Sequence, residues 1–178
     1  MALAVLVIDV QQAFREGEHQ AFEVERVIRN INLVTHAARA QAVPVVFIQH
    51  ESNSGPFTHG SPTWQLPADL VVGNEDHRLR KTASDSFHAS ELEPLLRRLG
   101  ATELVVCGIQ SDFCVDSTVR RALALGFDVR LVEDAHTTLD NGVLTAAQIS
   151  AHHAKTLTSI SSFPGKARLY GAANALDA

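Results

Sequence analysis

The residue best suited to covalent chemistry is Cys114, which stands at the predicted start of a helix directly after a strand and a short loop. The first N–H groups of a helix lack intrahelical partners and carry partial positive charge, which favours a thiolate over a thiol. The backbone N–H groups of Gln110 and Cys114 could also bind an oxyanion that forms on an attacked carbonyl. A buried structural cysteine is the alternative, and it is the preferred interpretation for Cys107, within an apolar strand.

Two charged residues could assist such a nucleophile. Asp9 ends a wholly apolar segment, where a carboxylate is costly unless it is paired or lies at the edge of the sheet. Lys81 is a lysine in a chain that otherwise mostly uses arginine. We expect Lys81 to stabilise the thiolate and to keep Asp9 ionised, while Asp9 passes a proton to the leaving amine. Taken singly, Asp9 could cap a turn and Lys81 could be a surface cation.

These residues meet only if strands and helices alternate along the chain. Strands are predicted where β-branched and leucine residues run together, and helices where apolar residues recur every three or four positions. Ser90 and Glu93 have the spacing of a capping box. The predicted strands span residues 3–8, 43–48, 78–81, 104–107, 128–132 and 158–161, and the predicted helices span residues 24–38, 90–99, 114–125 and 144–157.

Alternation without hairpin signals predicts a parallel sheet covered by helices on both faces. In such open sheets, ligands bind beyond the carboxyl ends of the strands. That rule selects Asp9, Gln11, Gln49, His50, Lys81, residues 108–114 and residues 134–136. We therefore expect the chemistry at this edge.

Substrate contacts are expected close by. Phe14, shortly after Asp9, and Trp64, in a long loop at residues 51–76, could form the apolar walls of a small cleft, although both could also be core residues. His50 could hydrogen-bond a substrate or simply end its strand. We expect specificity to reside in the long loop, in neighbouring subunits, or in both.

Composition and charge exclude several other classes. A length of 178 residues predicts a single domain over residues 1–178. With 15 Lys and Arg against 20 Asp and Glu, the net charge of −5 opposes nucleic-acid binding. Two cysteines give neither a disulfide framework nor a zinc cluster. No segment approaches the ~20 apolar residues of a membrane span. The apolar start lacks a basic leader, so we expect a cytoplasmic protein.

Known nucleotide and serine-hydrolase motifs are missing. No Gly-x-Gly-x-x-Gly follows a strand, and no Gly-x-Ser-x-Gly elbow occurs. Residues 55–61 have the glycine spacing of a phosphate loop but place Ser61 where its lysine belongs. A nucleotide-binding module would therefore rest on fold analogy alone.

Over nearly its whole length the sequence resembles the isochorismatase-like cysteine hydrolases. The matching pieces are residues 7–11 (VIDVQ) with Phe14, Lys81 with Ser84, Ser86, Phe87, Leu92, Leu95, Leu99 and Gly100, and residues 108–115 (GIQSDFCV) with Thr118, Ala122 and Gly126. Each piece is weak alone, but the ordered set is specific.

The resemblance implies an α/β fold, a three-layer doubly wound sandwich whose six-stranded, mainly parallel sheet has the order 3-2-1-4-5-6. It implies that Asp9, Lys81 and Cys114 form a catalytic triad. It also implies a cis peptide bond between Ile109 and Gln110, which aims the amides of Gln110 and Cys114 at the substrate oxygen. Family members usually assemble as homodimers or homotetramers.

Departures from the family pattern reduce the number of reactions that we expect this chain to catalyse. Isochorismatases proper lack the cysteine and cleave a vinyl ether, so Cys114 opposes that reaction. Nicotinamidases carry Asp-x-His and a second His after the second strand, where this chain reads Ile48-Gln49-His50-Glu51. His50, Glu51 and His59 could form an improvised metal site, but solvated loop residues are the preferred interpretation.

The predicted function is metal-independent and cofactor-independent hydrolysis of a C–N bond in a small amide, carbamoyl or ureido substrate, through a thioester acyl-enzyme. The alternatives are a non-catalytic or redox-sensing thiol protein of the same fold, and a metal-assisted amidase similar to nicotinamidases. No nucleic-acid or membrane partner is expected.

Overall fold

The computed structural model describes residues 2–177. Its strands are β1 (Leu3–Ile8), β2 (Val45–His50), β3 (His77–Lys81), β4 (Glu103–Ile109), β5 (Asp128–Thr137) and β6 (Ala167–Tyr170). Its α-helices are α1 (Val24–Ala40), α2 (Leu92–Arg98), α3 (Asp116–Ala124) and α4 (Ala146–Ser159). A π-helical turn, Ser111–Val115, leads directly into α3.

The six strands form one sheet in the order β3-β2-β1-β4-β5-β6. All neighbouring strands run parallel, so the predicted sheet and its strand order are confirmed. Strand β1 lies in the middle, with Ile8 opposite Ile48 of β2 and opposite Gly108 of β4. On the far side of β2, His50 at the end of that strand lies opposite Lys81 at the end of β3. Functional residues that follow these strands therefore come together at one edge.

Both faces of the sheet are covered by helices, which makes the three predicted layers. In β1, Leu6 and Ile8 pack in the hydrophobic cluster that contains the buried residues of α2, α3 and α4. Val5 and Val7 pack on the opposite side, with α1 and the C-terminal segment. Strands covered on both faces need no polar positions, so their sequences are apolar runs without alternation.

The position predicted for the sixth strand is wrong. Thr158 and Ser159, predicted in a strand at residues 158–161, complete α4, and β6 begins at Ala167. The hydroxyl of Thr158 donates a hydrogen bond to the carbonyl of Ala154 one turn earlier, which accommodates this β-branched residue in the helix. Strand β6 then pairs with β5, where Ala167 lies opposite Val129.

The predicted capping box at Ser90 is also wrong. Helix α2 has Glu91 at its N-cap position, without a side-chain capping bond. The Ser90 hydroxyl instead donates to the carbonyl of Ser86 and accepts from the N–H of Leu92. A capping box does form at α4, where Thr145 and Gln148 bond each other's backbone N–H groups.

The helix predicted at residues 114–125 has a different start. The N–H of Val115 donates to the carbonyl of Gln110 at 3.0 Å, a bond that spans five residues. Cys114 therefore lies within the π turn, and α3 begins two residues later. Within residues 2–177, no helix has the length and apolar character that crossing a membrane requires.

Candidate active site

Asp9, Lys81 and Cys114 lie together at the carboxyl edge of the sheet. The Nζ atom of Lys81 is 2.7 Å from Oδ2 of Asp9 and 3.1 Å from Sγ of Cys114. The same ammonium donates to the carbonyl of Ala83 at 2.9 Å. Asp9 and Lys81 are buried, whereas Cys114 is partly exposed. The ammonium thus bridges a carboxylate and a thiol that a substrate can approach.

Asp9 is held by the backbone where β1 ends. Its N–H donates to the carbonyl of Ile48 at 2.8 Å, which continues the ladder between β1 and β2. Its φ of 51° lies in the left-handed region, an uncommon conformation for a residue other than glycine. Such backbone conformations concentrate at functional sites. The turn of the chain at Asp9 ends the strand here.

Gly108 permits the close approach of β4 to β1. It has a φ of 126°, and a Cβ atom at this position would lie 2.1 Å from the carbonyl oxygen of Ile8. No residue with a side chain fits at that distance. Because Asp9 follows Ile8 and the Cys114 turn follows β4, this contact sets the separation of the carboxylate and the thiol.

The charges favour a protonated thiol in the free protein. Burial alone would lower the pKa of Lys81, but the negative charges of Asp9 and Cys114 outweigh it and raise that pKa, so the ammonium stays charged. Burial, reinforced by the charge of Asp9, raises the pKa of Cys114 to about 12 despite the opposing effect of Lys81. The resting thiolate expected from the sequence is therefore disfavoured, because burial and the Asp9 carboxylate together outweigh the Lys81 ammonium.

The turn between β4 and α3 shows the backbone feature that the resemblance implied. The peptide bond between Ile109 and Gln110 is cis. The carbonyl of Gln110 accepts hydrogen bonds from the N–H groups of Phe113 and Val115. The assignment of the Gln110 and Cys114 N–H groups to an oxyanion hole stays a prediction.

His50 lies beside the triad. Donor atoms of Asp9, His50 and Cys114 lie within 4.8 Å of one another. Burial, followed by the positive charge of Lys81, lowers the pKa of His50, which leaves its ring neutral at neutral pH. Its buried Nδ1 has no hydrogen-bond partner within residues 2–177. His50 can therefore exchange a hydrogen bond with a bound molecule.

Gln11 ties the long loop to the end of β2, a role that sequence reasoning did not assign. Its Nε2 donates to the carbonyls of His50 and Trp64 at 3.0 and 2.9 Å, and its Oε1 accepts from the N–H of His50 at 2.9 Å. Gln49 donates to the same Trp64 carbonyl at 3.1 Å. The sequence feature that could have indicated this role is a glutamine two residues beyond Asp9, close to the end of the first apolar strand.

Aromatic residues of the loop pack against the predicted substrate contacts, and one of them, Phe57, links Phe14 to His50. Phe57 packs against Phe14 and His50, with ring centroids 5.2 and 5.6 Å apart. Trp64 packs edge-on against His59 at 4.6 Å, and its indole Nε1 is buried without a partner among the described residues. Phe14, itself buried, contributes to this wall through Phe57. Phe57 could not be chosen from its sequence position alone.

The improvised metal site is not the arrangement found. Glu51 pairs with Arg80 at 3.3 Å, and His59 packs on Trp64. Within residues 2–177, the group that could offer three ligand atoms consists of Asp9, His50 and Cys114. The Lys81 ammonium already contacts two of those three, so the site holds a protein cation where a metal ion would have to bind.

Cys107 lies apart from Cys114. It is fully buried, and its Sγ donates to the carbonyl of Leu6. It packs in the cluster on the α1 side of the sheet, whereas Cys114 packs against the cluster on the opposite face. The structural role predicted for Cys107 is consistent with these contacts.

Comparison with known proteins gives the family. The isochorismatase domain model matches residues 3–161. Streptothricin hydrolase from Streptomyces noursei is 39% identical over 138 residues, which cover 77% of this chain and 50% of that protein. The chain thus spans about half the length of the streptothricin hydrolases that it matches.

Solved structures agree with this family. The crystal structure of an isochorismatase family protein has a TM-score of 0.83 and 34% identity, and the match covers 93% of this chain and 97% of that one. An isochorismatase from Pseudomonas putida KT2440 has a TM-score of 0.88 and 28% identity, with 97% and 89% covered. The chain therefore belongs to the isochorismatase family.

Proposed function

We propose that this protein hydrolyses a C–N bond in a small amide, carbamoyl or ureido compound, with Cys114 as the nucleophile. The observation that carries the proposal is the position of the Lys81 ammonium, 2.7 Å from the Asp9 carboxylate and 3.1 Å from the Cys114 sulfur. A buried acid, a cation and a thiol within mutual contact are the parts that nucleophilic acyl transfer requires. The named hydrolases among its relatives support the reaction class.

Asp9 acts as the base in the first step. Since the Cys114 pKa is raised to about 12, the sulfur is protonated until substrate binds. As Sγ forms a bond to the carbonyl carbon, its proton passes to Asp9, which has a carboxylate oxygen within 4.8 Å of Sγ. The carbonyl π electrons move to the oxygen, where the amides of Gln110 and Cys114 donate hydrogen bonds.

The second half of the reaction returns the proton. Asp9 gives it to the departing nitrogen as the C–N bond breaks, which leaves a thioester on Cys114 and releases ammonia or an amine. Water then attacks the thioester, with Asp9 again accepting a proton, and the acid product and the thiol are released. Lys81 stays charged throughout and stabilises negative charge as it passes between Asp9 and Cys114.

The surroundings support a small, polar substrate. His50 Nδ1 and Trp64 Nε1 are buried without partners among the described residues, and an unpaired buried group is costly. A substrate that bonds either atom removes that cost. The walls formed by Phe57 and Trp64 belong to the 51–76 loop, so differences in this loop would select among substrates.

A redox-sensing role is less well supported. Oxidation favours an accessible thiolate of low pKa, whereas burial and Asp9 raise the pKa of Cys114. Cys107, the other cysteine, lies on the far face of the sheet and cannot act as its resolving partner without unfolding.

The test is a panel of small amides, carbamoyl compounds and ureas, followed by ammonia or amine release. We expect turnover by the wild type and by Cys107→Ala, and none by Cys114→Ala. Rapid quenching with intact-mass measurement should show an acyl adduct on the wild type and none on Cys114→Ala. Turnover by Cys114→Ala at the wild-type rate would exclude the mechanism. Light scattering of the same samples would test the expected assembly of two or four copies.

A further inference from the structure

A second cavity lies between β5, β6 and α4. It has a volume of about 300 Å³, and none of the triad residues lines it. We call it the β5–α4 cavity, and its lining includes Phe22, Arg26, His136, Ser150, Lys155 and Leu169. Nothing in the proposed hydrolysis uses this space.

His136 is a buried polar group of this cavity that lacks a partner. It is only 4% exposed, and its Nε2 atom has no hydrogen-bond partner within residues 2–177. Its other nitrogen, Nδ1, is 2.7 Å from Oγ of Ser111. Burial lowers the pKa of His136 to about 4, so the ring is neutral at neutral pH and carries one N–H. A molecule that accepts a hydrogen bond from Nε2 would satisfy it.

The hydroxyls next to His136 can be arranged so that this N–H is on Nε2. Ser150 Oγ lies 2.9 Å from Ser111 Oγ. If Ser150 donates to Ser111, Ser111 donates to Nδ1 of His136, and Nε2 then carries the hydrogen. In this order Ser150 donates one hydrogen bond, Ser111 accepts one and donates one, and Nδ1 of His136 accepts one. With this order of donors the free atom, Nε2, is a donor, to which an acceptor ligand can bond.

The remaining lining gives the chemistry of that ligand. Phe22 and Leu169 are large apolar side chains that stay 44% and 40% exposed, and both line the cavity. Lys155 contributes a positive charge and Glu133 a carboxylate, whereas the charge of Arg26 is paired with Glu23 at 2.6 Å. An apolar wall, the Lys155 ammonium and a buried ring nitrogen that can donate together fit a hydrocarbon group that carries a carboxylate.

We propose that the β5–α4 cavity binds a small apolar carboxylate, with its hydrocarbon part against Phe22 and Leu169 and its carboxylate toward Lys155 and Nε2 of His136. Binding does not depend on the proposed hydrolysis. Binding also has a consequence for Cys114, because Ser111 directly follows Gln110 and begins the turn that carries Cys114. A ligand that fixes His136 therefore acts, through Ser111, on the reactivity of Cys114.

Benzoate is the probe for binding, and benzamide, which has the same shape without the charge, is its control. Calorimetry on protein whose Cys114 has been alkylated, so that the proposed hydrolysis cannot convert benzamide to benzoate, should show benzoate binding with benzamide at least about 10-fold weaker, because a charge-assisted hydrogen bond is lost. Binding should persist after Cys114 is alkylated with iodoacetamide, which blocks the triad. In nitrogen-resolved NMR spectra, benzoate should shift the ring signals of His136 and show the proton on Nε2.

Variants locate the ligand. Ala151 lines the cavity on the exposed side of α4, so Ala151→Phe should fill the space without disturbing the core and should abolish benzoate binding. Lys155→Met should weaken binding about threefold, as expected for an exposed charge partner. Lys166→Met, an exposed lysine outside the cavity lining, is the matched control and should bind as the wild type does.

The same samples test the coupling to Cys114. Benzoate should change the rate of Cys114 alkylation at least about twofold in the wild type and leave Ala151→Phe unaffected, a readout that needs no substrate. Benzoate binding that survives Ala151→Phe, or that disappears on alkylation of Cys114, would overturn the site, as would equal binding of benzamide. Unchanged alkylation with benzoate bound would overturn the coupling. Absence of turnover on every amide, with benzoate bound as described, would reject the proposed hydrolysis and leave this site standing.

Discussion

Lys81 and Asp9 form an ion pair of 2.7 Å whose side chains are 0% and 2% exposed. Taking both charges out of water is costly, and each compensates the other only while both are present. The pair is therefore more informative about catalysis than about stability. It places a carboxylate and an ammonium beside the Cys114 thiol.

Removal of one charge of this pair should be strongly destabilising. We expect Lys81→Met to lower the free energy of unfolding by about 3–5 kcal/mol, because it leaves the Asp9 carboxylate buried without a counter-charge. The double variant Asp9→Asn/Lys81→Met should recover much of that loss. Urea unfolding of both single variants and the double variant gives the coupling energy, and purely additive losses would contradict the ion pair.

Alkylation of Cys114 should depend steeply on pH. Because burial and Asp9 raise its pKa to about 12, the thiolate fraction should rise about tenfold per pH unit from pH 6 to pH 10. Intact-mass measurement of iodoacetamide labelling gives the rate, and digestion separates Cys114 from the fully buried Cys107, which should label far more slowly. A plateau near neutral pH would reveal a resting thiolate instead.

Gly108 should tolerate no side chain. In Gly108→Ala the Cβ atom would meet the Ile8 carbonyl at 2.1 Å, so we expect a loss of more than about 3 kcal/mol, together with loss of activity. Gly142 also has a positive φ, of 81°, but nothing lies within 4 Å of an added Cβ. Gly142→Ala is the matched control and should cost about 1 kcal/mol. Chemical denaturation measures both; equal losses would show that the contact with Ile8 is unimportant.

His136 should make the fold sensitive to acid. Its pKa is lowered from 6.5 to about 4 by burial, so its contribution is complete above pH 6.5 and is lost as the pH falls toward 4. The loss is at most about 3 kcal/mol. Urea unfolding between pH 8 and pH 4 should show a shallower decline for His136→Gln than for the wild type. His19→Gln, on an exposed turn, should decline as the wild type does.

Much of the fold could be predicted from local patterns in the sequence. The limits of β1 agree with the prediction because an apolar run bounded by Asp9 is the expected form of a strand covered on both faces. Asp9, Lys81 and Cys114 could be grouped because each lies at or beyond the carboxyl end of a strand of one parallel sheet. Their assignment as a catalytic triad came from the resemblance.

The features that could not be predicted from the sequence depend on packing between distant parts of the chain. Phe57 reaches His50 only through the path of a loop whose residues have no periodicity. The raised Cys114 pKa comes from burial and from a carboxylate about a hundred residues earlier, whereas its local position at a helical turn indicated the reverse. Strand β6 was misplaced because its four residues carry a weak pattern, and its pairing with β5 decides their conformation.

The central place of β1 has a consequence for synthesis of the chain. Its two neighbours are β2 and β4, so β1 cannot be paired along both edges until residue 109 has been synthesised. Contacts of such wide sequence separation slow the search for the native arrangement. A nascent chain therefore exposes this apolar segment while roughly a hundred further residues are translated, an interval in which chaperones would shield it.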